Sequence, residues 1–187
     1  MKIDGTHTIN APRDIVYRLM TDPVVLARCI PGCEKLEPAG ENSYTTNLKV
    51  GVGTIKGNYT GKVTLDDVQP PAHYKMLVEG KGNTGFVKGS GIIDLEASGN
   101  TETLVKYEGD VQVGGTIASV GQRMLQGAAK MMASQFFTAI NAEAEAAAKA
   151  EANQEPVKPP SHGFFRTTLR WLAGLIKGWF GRRSESQ

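Results

Sequence analysis

The run GGTIASVGQRMLQGAAKMMASQFFTAINAEAEAAAKA, from Gly114 to about Ala150, is the only long helical pattern in the first 150 residues, and what precedes it must pack against it. At 3.6 residues per turn, Ile117, Val120, Gly121, Met124, Ala128, Met131 and Gln135 share one narrow seam, with Leu125, Met132 and Phe136 beside it. Gln122, Arg123, Gln126, Lys130, Ser134 and Asn141 form the wet side. A dry side of Met, Ala and Gly fills a tight core poorly and lines an adaptable apolar cavity well. Methionine at helical spacing is also ordinary core, so the residues upstream decide between the two.

Those residues read as one strand, two short helices and six strands. Ile3, Gly5, His7 and Ile9 alternate along a first strand. Asn10-Ala11-Pro12 opens a short helix with Ile15, Val16, Leu19 and Met20 on its dry side. Asp22-Pro23 starts a second helix, which Ile30-Pro31-Gly32 stops. From Glu34 to Val113 the period is two, punctuated by Gln69-Pro70-Pro71, Gly80-Lys81-Gly82-Asn83 and Gly99-Asn100. One polar and one apolar face predict an antiparallel sheet covered on one side, and glycines at 57, 61, 91 and 109 permit strong curvature. The predicted fold is α+β, a curved antiparallel seven-stranded sheet around a long C-terminal helix, enclosing an apolar cavity. The cavity is expected between Ile117, Val120, Met124, Ala128 and Met131 of the helix and Tyr59, Met76, Val78, Phe86, Tyr107 and Val111 of the sheet. Gln135 is the candidate hydrogen bond to a ligand carbonyl.

Charge divides the chain of 187 residues. Up to Glu155 there are 15 Lys+Arg against 18 Asp+Glu, a balance of −3; from Pro156 onward there are 6 against 1, a balance of +5. A mildly acidic domain over 1–150 is therefore expected to carry a basic tail with an anionic partner. Residues 151–162 read as an Ala/Glu/Pro linker. In 163–183, Phe164, Phe165, Leu169, Trp171, Leu172, Leu175, Ile176, Trp179 and Phe180 fall on one half of a helical wheel, and Arg166, Arg170 and Lys177 on the other. Three interior cations oppose a spanning helix, since each costs about 2.5–3.5 kcal/mol at a bilayer centre. An amphipathic helix lying on an anionic membrane surface satisfies both halves. Docking of the same helix on a partner protein, or back on the chain's own sheet, is the alternative.

The sequence offers little chemistry. Cys29 and Cys33 flank Ile-Pro-Gly without metal-ligand company, and His7, His73 and His162 are scattered, so no metal site is expected. The N-terminus has no apolar signal segment, so a cytoplasmic chain with reduced thiols is expected. Asp66-Asp67 reads as a solvated turn pair. No nucleophile–base pair, paired catalytic carboxylates or phosphate loop stands out, and no catalytic residue is assigned. Nucleic acid is disfavoured by the acidic globular part.

Four stretches, INAPRDIVYRLMTDP, IPGCEKLE, VGVGTIKGNYTGKVTLDDVQPP and VQVGGTIASVGQRML, resemble the CoxG family, which takes its name from the G subunit of carbon monoxide dehydrogenase. The element order resembles the wider helix-grip (START-like, SRPBCC) superfamily. The likeness covers roughly residues 1–147. It implies an apolar internal cavity and service to a molybdenum hydroxylase of the carbon monoxide dehydrogenase type. The reading that results is a non-enzymatic accessory protein, peripheral on the inner face of the cytoplasmic membrane, that recruits the hydroxylase there. Its cavity would bind an isoprenoid quinone (menaquinone or ubiquinone), linking the enzyme to the respiratory chain. Two alternatives stay open: a recruitment adaptor or assembly factor without a quinone role, and a small-molecule enzyme of the same superfamily.

Overall fold

The computed structural model describes residues 1–52 and 55–153. The predicted membrane-surface helix over 163–183, with its aromatic and basic residues, and all but the first three residues of the predicted linker lie outside the described residues. Among the described residues, no helix is long and apolar enough to cross a membrane.

Strand β1 (Lys2–Ile9) leads into α1 (Arg13–Thr21), and α2 (Pro23–Cys29) follows at once. Asp22 caps α2 by accepting from the Val24 amide at 2.8 Å, and Pro23 occupies the first turn, where no amide is needed. Six strands come next: β2 (Cys33–Gly40), β3 (Ser43–Val52), β4 (Ile55–Gln69), β5 (His73–Gly82), β6 (Gly85–Ser98) and β7 (Glu102–Gly114). They form one antiparallel sheet in the order β1-β7-β6-β5-β4-β3-β2, so chain order is kept except that β1 closes onto β7. The long helix α3 (Gln122–Asn153) then crosses the sheet.

Register fixes which residues face inward. The row Val63–Val78–Gly89–Val111 and the row Leu65–Met76–Gly91–Gly109 lie on the inner face, in phase with the buried Tyr74, Ile93, Leu95 and Val105. A Cβ on Gly89 or Gly109 would come within 3 Å of the neighbouring strand's carbonyl oxygen, and one on Gly91 would crowd Met76. The main core lies at one end, where Val16 and Met20 of α1, Val25 of α2, Ile9, Val105 and the α3 residues Ile140 and Ala144 pack together. A smaller cluster of Ile55, Tyr59 and Ile117 lies at the other end.

The start of the predicted helix differs. The run does not begin as α-helix at Gly114: Thr116–Val120 is a 3-10 turn, and Gly121 at φ +89° separates it from α3. That backbone conformation is costly for any residue with a Cβ. The break resets the phase, so residues 117 and 120 do not share a helical face with 124, 128 and 131.

Candidate functional site

The face of α3 that lines the cavity lies about one residue round from the predicted seam. Ala129, Met132, Ala133, Phe136 and Phe137 of α3 face the sheet over a cavity of about 370 Å³. Met124 and Met131, predicted to line it, are 48% and 50% exposed. Gln135 is exposed as well and lies on an outer groove with Met131, not on the cavity wall. Ile117, Val120 and Ala128 belong to the small cluster around Ile55 and Tyr59, and Tyr59 is held there by a hydrogen bond between its hydroxyl and that of Thr84.

On the sheet side, Met76 and Tyr107 line the cavity. Val78 and Val111 share its inner face but flank it, two residues nearer the β5–β6 turn along β5 and toward the 3-10 turn along β7. Phe86 is on the outer face, paired with Lys81 and Gly114, because the inward positions of β6 are odd-numbered. A side chain on Gly114 would collide with the Phe86 ring.

Residues that the sequence analysis did not assign to the cavity complete the wall. Met20, Leu26, Ile30 and Pro31 come from the two short helices and their exit, and Leu36, Tyr44, Val63, Leu65, Tyr74 and Ile93 from the sheet. No sequence signal marks Met20 or Leu26, since wall and core side chains are equally apolar.

Between cavity and main core stands an aromatic stack. His7 lies over Phe137 at a centroid distance of 4.3 Å, Tyr107 over Phe137 at 5.4 Å, and Phe136 meets Phe137 edge-on at 5.1 Å. The Tyr107 ring also covers Gly5, where a Cβ could not be accommodated. Burial in this stack holds the His7 imidazole below its usual value of 6.5, favouring the neutral ring.

The polar atoms near the cavity are phenol hydroxyls. Tyr74 lines it and is 4% exposed; burial drives its hydroxyl well above the ordinary tyrosine range. Tyr17 meets Tyr74 edge-on at 6.0 Å, and the Tyr17 hydroxyl is buried with no hydrogen-bond partner among the described residues. An unpaired buried hydroxyl costs about 1–3 kcal/mol, which a ligand oxygen or a water would recover.

The cysteines are both free; Cys29 is in the core, where burial raises its thiol, and Cys33 is half-buried at the start of β2. Among the described residues no three of His, Cys, Asp and Glu cluster as metal ligands. His73 is tied to Asp94 at 2.6 Å at the far end of β5.

An antiparallel sheet gripping a C-terminal helix over an apolar cavity places the molecule in the START-like (SRPBCC) class. Solved structures agree. A START superfamily protein from Mycobacterium smegmatis aligns at TM-score 0.61 and 12% identity, over 78% of this chain and 97% of that one. The Zhui aromatase/cyclase from Streptomyces sp. R1128 aligns at TM-score 0.60 and 20% identity, over 78% and 93%. A conserved protein from Geobacillus kaustophilus aligns at TM-score 0.76 and 38% identity, over 78% and 96%. No curated protein matches the chain. The model of the CoxG family, the G subunit of carbon monoxide dehydrogenase, matches residues 5–145, and the chain belongs to that family. Membership supports an accessory role beside carbon monoxide dehydrogenase.

Proposed function

We propose that the protein is a non-enzymatic carrier and adaptor, which holds an isoprenoid quinone in its START-like cavity and brings a molybdenum hydroxylase of the carbon monoxide dehydrogenase type to the membrane. The observation that carries this reading is the cavity. Its volume of about 370 Å³ falls in the range of ligand pockets, and its wall is hydrocarbon and aromatic apart from phenol hydroxyls. An oily ring bearing carbonyls suits such a wall, and the phenol of Tyr74 on that wall offers a donor to a carbonyl oxygen. A bound quinone would supply a lipid-soluble electron acceptor. The residues around it exclude water and orient the ring; none is assigned a proton-transfer or electron-transfer step.

The tail supports the second half of the proposal. Its apolar half, centred on Trp171 and Leu175, would sink to the acyl boundary, with Arg166, Arg170 and Lys177 at anionic headgroups. Native mass spectrometry of full-length protein extracted from its own membranes tests the cavity, with one quinone per chain as the expected result. A phospholipid, or no lipid, would favour recruitment without a quinone role. Vesicle sedimentation of Trp171→Glu with Leu175→Glu tests the tail, which should lose most of its binding.

A further inference from the structure

The seam of Met124 and Met131 was expected to face a ligand and instead faces outward, so its composition calls for another explanation. Met131, with Met132, borders a groove formed with Lys49, Val50, Val52 and Lys56 of the β3–β4 hairpin. Pro31 and Met132 line both this groove and the cavity, so the two adjoin. Hydrogen bonds from the Ile117 amide and the Thr116 hydroxyl to the Thr84 carbonyl bring the β5–β6 turn and the 3-10 turn to the same end.

The charge at this end is of one sign. Residues 49–59, 80–87 and 112–135, around the β3–β4 hairpin, the β5–β6 turn and the first half of α3, contain no Asp or Glu and carry five Lys+Arg, although the chain up to Glu155 is acidic. Lys49, Lys56, Lys81, Arg123 and Lys130 are exposed, and none forms an ion pair among the described residues. Arg123 and Lys130 each precede an exposed methionine, about 100° round the helix from it. Flexible apolar side chains fringed by cations beside a dry cavity match an anionic lipid surface. There the methionines meet acyl chains and the cations meet headgroups.

We propose that this end of the domain docks directly on anionic membrane, apart from any contact made by the tail, and so places the cavity next to the lipid. The inference rests on the carrier reading for its purpose but not for its test. Full-length protein carrying Trp171→Glu and Leu175→Glu removes the apolar centre of the tail's predicted helix. Sedimented with vesicles of equal phosphatidylglycerol and phosphatidylcholine at low salt, this variant should keep weak binding that falls as salt rises. Adding Lys49→Glu and Lys56→Glu should lower the remaining binding by about tenfold or more, with the circular dichroism spectrum unchanged. Adding Met124→Ser and Met131→Ser instead should lower it by about threefold or more and leave the salt dependence in place. Complete loss of binding on changing the tail alone would overturn the proposal while leaving the tail's role intact. So would residual binding that ignores the lysine reversals, or reversals that weaken only the association with the hydroxylase. The last result would make this end a protein-docking face.

Discussion

The two halves of the long helix do different work. From Phe137 to Asn153 it is clamped: Phe137, Ile140 and Ala144 are buried, Arg28 forks onto Glu143 at 2.9 and 3.1 Å, and Arg18 pairs with Glu151. Asn10 reaches the same half twice, its amide to Asn141 at 2.8 Å and its side chain to Glu145 at 2.9 Å. From Gln122 to Phe136 no residue is buried. Gly127, Ala128, Ala129 and Ala133 keep that half slim, and Ala129 and Ala133 line the cavity. A single helix can thus anchor a fold with one half and frame a binding space with the other, because packing density sets which half can move.

The largest effect that tests this contrast is in the clamped half. Ile140 is fully buried, so Ile140→Ala should destabilise the domain by about 2–5 kcal/mol in urea unfolding. A cost near zero would mean that the clamp is not what holds the helix. Next comes the choice between two alanines five residues apart. Ala133→Trp should fill the cavity and remove the co-purifying lipid, whereas Ala128→Trp should disturb the cluster around Ile55 and Tyr59 and leave lipid in place. The reverse pattern would restore the helix phase read from sequence.

Hydrogen exchange sharpens the comparison along the backbone. Amides of residues 126–135 should exchange roughly tenfold or more faster than those of 140–149, and equal rates would remove the distinction. A smaller effect concerns His7. Its folded pKa lies below the unfolded value of 6.5, so between the two the unfolded chain binds more protons and stability falls as pH is lowered. Urea midpoints should therefore be level above about pH 7 and drop on acidification just below 6.5. His7→Phe keeps the stack on Phe137 and should flatten that drop. The smallest effect is at the exposed methionines, where Met124→Ala with Met131→Ala should change unfolding free energy by no more than about 0.5 kcal/mol.

The sequence by itself determined the element order, the antiparallel sheet and the apolar cavity as a class of site. Period-two alternation, Pro12 and Pro23 at helix starts, and glycine punctuation are local signals: the prolines and turn glycines act through backbone sterics, and the alternation through burial of one strand face. Met76 and Tyr107 were placed on the cavity wall by the same alternation. Only the tertiary structure decided the rest. Phe86 and Gln135 were assigned inward and face outward. The methionine seam of α3 is an exposed rim, and the neighbouring face with Ala129, Ala133 and Phe137 lies over the cavity, because the packing of α3 on the sheet sets which face turns inward. Burial of the Tyr17 hydroxyl and the one-signed charge beside the cavity likewise come from elements far apart in the chain. Their meeting is set by packing, which local periodicity does not encode.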